Sequence, residues 1–194
     1  MLDVHSHKKF GKNVVHNVSP KEWQEFANKH PQQLVSIGIH PWHIEQRSLE
    51  EELALLSSII ENELVFAIGE TGLDKRCNVP LNLQKQSLNF HIQLSEKYQK
   101  PLILHCVGAY NELQLLKRKV SPSQRWIIHG FRGNPFLAKQ LMKEGFYFSI
   151  GWSFNPETIK ILPKELLYFE TDESDATIEQ VYEKVISIKG NINI

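Results

Sequence analysis

His5 and His7 stand two residues apart in the opening stretch MLDVHSH. On a β-strand alternate side chains share a face, so both imidazoles can point the same way from the end of a strand that begins with Met1-Leu2. Two neutral imidazoles on one face can hold one metal ion, although an isolated H-x-H pair is ordinarily two surface histidines near a frayed terminus. The pair acquires meaning from five residues further along the chain. His40, Glu70, His105, His129 and Asp172 each close or nearly close a short apolar run, in GIH, AIGE, LILH, WIIH and FETD. Singly, His105 reads as a satisfied core histidine and Glu70 as a buried ion-pair partner. Five histidines and two carboxylates facing one cavity would be costly to desolvate without a cation to neutralise and coordinate them. A metal centre accounts for the set at once.

The elements that must position these residues alternate regularly. Candidate strands are MLDVH, NVVHNV, LVSIGIH, VFAIGE, LILHCV, WIIHGF, FYFSIGW and LLYFETD, mostly short apolar runs of the kind buried on both faces of a parallel sheet. Between them lie helical stretches over residues 20–29, 49–62, 81–99, 110–119, 135–144, 156–162 and 178–188. Several follow a capping residue with proline, as in Ser19-Pro20, Asn134-Pro135 and Asn155-Pro156. Eight strands with intervening helices predict a compact α/β fold, a closed (β/α)8 TIM barrel. The linker SHKKFGK is too short for a crossover helix, so the helix after the first strand should be missing. Active sites of such barrels gather at the C-terminal ends of the strands, where the polar residues above fall.

Composition narrows the function classes. The 194 residues, 41% hydrophobic and 23% charged, fit one domain spanning 1–194 with a good-sized core. No apolar run is long enough to span a bilayer, and the charged start leaves no room for a secretory signal, so a cytoplasmic location with no membrane association is expected. Lysine plus arginine balances aspartate plus glutamate at 22 each, which gives no electrostatic case for a dedicated duplex-binding surface. Cys77 and Cys106 are too few for a disulfide framework, and Cys106, beside His105 on a strand, should face the core. Neither is expected to be a nucleophile.

The motifs DVHSH, GIHPWH, AIGETGLD, LILHCV, IIHGFRG and FETD occur in the order and strand contexts that characterise the TatD family of metal-dependent hydrolases, and the resemblance runs from Met1 to about Asp172. It implies a divalent-metal-dependent phosphodiesterase, of the kind usually described as a deoxyribonuclease, that cleaves DNA from its ends in a 3′-5′ exonuclease-like manner. It further implies one or two divalent ions, zinc, manganese or magnesium. His5, His7, Glu70 and Asp172 resemble ligands of the first ion, and Glu70, His105 and His129 ligands of the second, with Glu70 bridging. Asp172 and Glu70 are then the catalytic carboxylates, Asp172 taking a proton from water at the barrel mouth. His40 matches a substrate-phosphate position, while the bland reading is a histidine that hydrogen-bonds a loop.

Around the mouth, Lys8, Lys9, Lys12, Lys75, Arg76 and Arg132 can hold phosphates, and Trp42, Phe131, Trp152 and Phe154 can stack on unpaired bases, which favours single-stranded DNA or ends. The alternative is solvated charge and loop packing. His16, His30, His43 and His91 match no motif position and are read as structural or surface residues. The chain departs from the family pattern at Val107, where arginine is common, at Arg132, where serine is common, and at Glu173-Ser174-Asp175, and it is short for the family. Two other functions are compatible with the residues: a related metal-barrel hydrolase of a small amide, lactone or phosphate ester, and a non-catalytic metal-binding barrel. The sequence leaves the oligomeric state open.

Overall fold

β1 (Asp3–Ser6) lies between β2 (Val14–Val18) and β8 (Leu167–Phe169), and that last pairing closes eight parallel strands into a barrel. The structure is a computed structural model and describes residues 1–189. From β2 onward the chain runs through α1 (Trp23–Lys29), β3 (Val35–Ile37), α2 (Leu49–Ile59), β4 (Val65–Asp74), α3 (Leu81–Tyr98), β5 (Leu102–Val107), α4 (Tyr110–Val120) and β6 (Trp126–Ile128). It continues through α5 (Pro135–Lys143), β7 (Tyr147–Ile150), α6 (Pro156–Ile161), β8 and α7 (Ile178–Lys189). All eight expected strands form, and β1 and β2 are joined without a helix. Among the described residues no helix is long and apolar enough to cross a membrane.

Local chemistry explains most boundaries. Asn134 and Asn155 accept the backbone N–H of Leu137 and of Glu157, each with proline at the next position, so α5 and α6 start where the sequence predicts. α1 starts later than expected, at Trp23. The Glu22 carboxylate accepts both the hydroxyl and the backbone N–H of Ser19, and the Glu22 N–H bonds Ser19 O, which holds residues 19–22 in a turn.

Strand alternation sorts the side chains into two cores. Leu102 and Leu104 face the helices, together with residues such as Leu56, Leu88 and Phe148. Ile103 and Ile127 pack with Ala67, Tyr147 and Tyr168 inside the barrel as an apolar floor. Two residues further along come His105, still on β5, and His129, one residue past the end of β6, so the polar layer sits directly on that floor. Cys106 alternates outward into the helix-facing core, where burial pushes its thiol up to about 12, as expected of a packing residue.

The seam between β1 and β8 is short but heavily bonded. Asp3 and Phe169 are in register, Asp3 accepts the Thr171 N–H and hydroxyl, and Asp172 continues the pairing beyond the strand. The Asp172 N–H bonds His5 O at 3.0 Å and the His7 N–H bonds Asp172 O at 3.2 Å.

Candidate metal centre

Glu70 divides the site. It is only 3% exposed, and its two carboxylate oxygens face different imidazoles. Oε2 lies 3.4 Å from His5 Nε2 and 3.5 Å from His7 Nε2, and Asp172 Oδ1 stands 3.9 and 3.8 Å from the same two nitrogens. Oε1 lies 2.7 Å from His129 Nε2, 2.9 Å from His105 Nδ1 and 3.2 Å from His40 Nε2. The six residues read as ligands from the sequence therefore meet as one cluster, built from β1, β4, β5 and the segments after β1, β6 and β8.

Backbone irregularities aim these groups. The β4–β5 register shifts between Ile68 and Thr71, so Glu70 enters the barrel at a bulge rather than by simple alternation. Gly72 (φ 148°) has no room for a side chain, because a Cβ there would collide with the His105 carbonyl oxygen. Asp172 adopts φ 51°, the left-handed region that a non-glycine residue rarely enters. The alternation expected through LLYFETD therefore stops before it. Glu170 is fully buried beneath His129, and Asp172 turns to the mouth with its side chain 27% exposed.

Three further residues complete the site, and strand-end positions did not single them out. Asp74 Oδ2 lies 3.1 Å from His105 Nε2. Glu170 Oε1 lies 3.5 Å from His129 Nδ1 and accepts the Gly130 N–H at 2.6 Å. Asn17 Oδ1 accepts the Glu70 N–H at 2.7 Å. A carboxylate at one ring nitrogen keeps the proton there and leaves the other nitrogen's lone pair for a cation. Asp74 does this for His105, whose Nδ1 then faces Glu70, and Glu170 for His129, whose Nε2 does. His40 has the opposite arrangement. Its Nδ1 accepts the Trp42 backbone N–H at 3.1 Å, so the neutral ring carries its proton on Nε2, aimed at Glu70 Oε1.

The electrostatics agree with a site built for positive charge. Burial of Glu70 favours its neutral form, but His129, His105 and His40 outweigh that and hold its carboxyl well below the usual range. Burial of His129 disfavours its charge, and Glu70 and Glu170 reverse the effect, holding its pKa well above the ordinary value. Burial holds the His40 pKa below its ordinary value, so that ring is neutral. His5 is fully buried, and neither ring nitrogen has a hydrogen-bond partner among the described residues. An imidazole desolvated without a partner is costly, and a cation on its Nε2 supplies the missing interaction. Ligand atoms of His5, His7 and Glu70, of His5, His129 and Asp172, and of His40, Glu70 and His105 each lie within 4.8 Å of one another, so the cluster can hold a divalent metal. In the third group the neutral His40 offers a proton rather than a lone pair. His129 Nε2, nearest to the same Glu70 oxygen, fits the ligand role better.

An open cavity of about 500 Å³ rises over the cluster, walled in part by Asn17, His40, Trp42 and Glu173. Of the outer residues proposed to touch substrate, only His40 and the 56%-exposed Trp42 line it. Arg76 lines a neighbouring hollow with Trp42, and Arg132 is exposed. Lys75 pairs with Glu112 at 2.6 Å, and Lys8 with Glu173 and Asp175. The ammonium of Lys184 covers the Trp152 ring at 4.0 Å. Phe131 is not at the mouth at all. β6 ends at Ile128, and the chain turns Phe131 into the core against Phe148, leaving it 1% exposed.

The crystal structure of YjjV, a TatD homologue from Escherichia coli, superposes with a TM-score of 0.74 at 20% identity, covering 90% of this chain and 78% of that one, which establishes a shared fold. In sequence, an uncharacterized metal-dependent hydrolase of Buchnera aphidicola is 34% identical over 148 residues, 72% of this chain and 55% of its own length. The 3′-5′ ssDNA/RNA exonuclease TatD of Erwinia amylovora is 30% identical over 145 residues, 70% of this chain and 56% of its own. The chain thus spans little more than half the length of these two relatives. The model of the TatD related DNase family matches residues 4–190, nearly the whole barrel with its histidine and carboxylate cluster, and the chain belongs to that family.

Proposed function

We propose that the chain is a divalent-metal-dependent phosphodiesterase that releases nucleotides from the ends of DNA, with single strands preferred. The observation that carries this reading is the division of Glu70, one oxygen toward His5 and His7 and the other toward His105 and His129. His5, His7, Glu70 and Asp172 would hold one ion, and Glu70, His105 and His129 a second, with zinc, manganese or magnesium as the ion. When bound, such ions supply positive charge to phosphoryl oxygens and acidify water.

The chain's own groups do the rest. Asp172, the most exposed carboxylate of the cluster, takes the proton of the attacking water. His40, whose Nε2–H points at Glu70 Oε1 in the free site, would share that one donor with a non-bridging phosphoryl oxygen when substrate is bound, and the carboxylates of Asp74 and Glu170 keep the His105 and His129 rings in register. Trp42 offers a stacking face at the rim. The name of the Erwinia relative supports a nucleic-acid substrate.

Elemental analysis of metal-loaded protein, with nuclease assays on the same sample, tests the reading. Up to two ions per chain are expected, fewer in His105→Ala and His129→Ala, with hydrolysis of a free-ended single strand but not of a closed circle. The pairing of Lys8 and Lys75 with carboxylates leaves fewer free cations for a polyanion, which favours a small-ester hydrolase as the second reading. Turnover of a small ester with inactivity on DNA would establish it. Metal-replete protein inert on both would indicate a binding barrel.

A further inference from the structure

Asn17, in β2, is in register with Ser36 of β3, and its side chain is pinned at one end only. Oδ1 accepts the Glu70 backbone N–H at 2.7 Å and the hydroxyl of the fully buried Ser36 at 3.0 Å. The Glu70 N–H can only donate, so the atom it meets is the amide oxygen, and the orientation of the amide follows from that contact. The NH2 group is left on the other side. Among the described residues nothing accepts a hydrogen bond from it. An amide locked at its oxygen, with both N–H groups free, is a preorganised donor.

Asn17 is half-buried and helps to wall the cavity over the metal cluster. No lysine or arginine lines that cavity, so an anionic group seated there is oriented, beyond any bound ion, by imidazoles and uncharged donors. Most of these are already engaged. Ser19 gives its hydroxyl to Glu22 at 2.6 Å, Trp42 gives its indole N–H to Asp74 at 2.6 Å, and the His40 Nε2–H points at Glu70 Oε1. Among the hydroxyl, indole and amide side chains described on that wall, Asn17 alone keeps a free donor.

We propose that the Asn17 amide donates to one non-bridging phosphoryl oxygen of the ester seated over the metal cluster. The inference rests on the phosphodiesterase reading for the identity of that oxygen. A fixed N–H meets one of the two prochiral oxygens and not the other, so the contact carries stereochemical information. It also ties the position of the ester to the backbone that carries Glu70, because the two ends of one amide hold both.

Two variants separate the ends of the amide. Asn17→Asp keeps an acceptor oxygen for Glu70 and Ser36 but replaces the NH2, whereas Asn17→Ala removes both ends. The first readout needs no turnover: calorimetric binding of inorganic phosphate to folded, zinc-loaded protein of verified metal content. Asn17→Ala should bind phosphate roughly 10- to 100-fold more weakly, the effect of losing one hydrogen bond to a charged group, and Asn17→Asp at least as weakly. The second readout is cleavage of the two diastereomers of a dinucleoside phosphorothioate by manganese-loaded protein. Sulfur is a poor hydrogen-bond acceptor, so the wild type should disfavour the diastereomer with sulfur facing Asn17, and the ratio of the two kcat/KM values should shrink by roughly tenfold in both variants. Should Asn17→Ala lose metal, Asn17→Asp decides alone through this ratio, since its added charge repels both diastereomers. A role confined to holding Glu70 predicts instead that Asn17→Asp matches the wild type in both readouts. That result would overturn the proposal, as would wild-type phosphate affinity in folded, metal-replete Asn17→Ala, an unchanged diastereomer ratio, or failure of the wild type to bind phosphate. If the wild type binds phosphate in an Asn17-dependent way but cleaves no phosphodiester, the phosphodiesterase reading fails and the donor stands.

Discussion

Trp42 donates its indole N–H to Asp74 Oδ2 at 2.6 Å, and the same oxygen stands 3.1 Å from His105 Nε2. The other Asp74 oxygen accepts the Arg76 N–H, and the Gln84 side chain clamps the Asp74 backbone from both its N–H and its carbonyl. Burial favours the neutral form of Asp74, but Trp42, the Arg76 N–H and His105 outweigh it and hold the carboxyl below its ordinary range. His105 is therefore oriented by a fixed anion, itself set in place by a tryptophan on the rim. Asp74→Asn should lower metal affinity by roughly 10- to 100-fold, the usual effect of removing such an outer carboxylate, with little change in fold. Trp42→Phe, which removes only the indole donor, should act in the same direction by less. Competition with a chromophoric chelator measures both.

Asp172→Asn keeps the shape of the side chain and one oxygen but removes the carboxylate proposed as the base. We expect kcat to fall by roughly 10² to 10⁴, with melting temperature and most metal content retained. A folded, metal-replete variant with near-normal kcat would assign the proton to another group.

Glu70→Gln exchanges one carboxylate oxygen for an NH2 group that can only donate. Both imidazole sets then lose the negative charge, and in either orientation of the amide one set also faces NH2 in place of an acceptor oxygen, so metal content should drop further than in His7→Ala, which affects a single ligand. Elemental analysis of the two variants after identical loading makes the comparison.

His91 gives a pH signature independent of catalysis. It is fully buried in α3, donates from Nδ1 to Ser87 O at 2.8 Å and accepts the Ile39 N–H on Nε2 at 3.0 Å. Burial lowers its pKa from 6.5 to about 4. The folded state thus binds fewer protons than the unfolded chain between those values. His91 contributes stability fully above pH 6.5, and that contribution is lost as pH falls toward 4, by about 3 kcal/mol at most. Denaturant midpoints of wild type and His91→Gln across pH 4 to 7 should converge toward the acid end. A constant gap would exclude the titration.

The strand-end histidines were legible because a parallel strand obeys a period of two, and an apolar run that ends in His or Glu declares where its last inward side chain stands. The rest was hidden by departures from that period. β4 runs to Asp74 with a bulge at Glu70, so Asp74 lay beyond the expected end of the strand. Glu170 was legible as a neighbour of Asp172 but not as the anchor of His129, because the register of β8 against β6 is set by barrel closure. Phe131 comes two residues after His129 and was expected at the mouth, yet the strand had already ended. Asn17 sits in a strand whose sequence, VVHNV, announces no chemistry.

The β1–β8 seam gives the metal cluster a second role. His5 and His7 flank one side of the closure and Asp172 the other, 166 residues from Ser6, with only one registered strand pair below them. An ion held by all three is a rivet across the joint where the ring of strands completes itself. Binding and closure are then linked equilibria, each strengthening the other, and at a thousandfold excess of ion over its dissociation constant the linkage is worth about 4 kcal/mol. On the proposed ligand assignment metal supply would set how tightly the barrel is shut as well as whether it can act, and the amides of His7 and Asp172 should be the first to report its loss by hydrogen exchange.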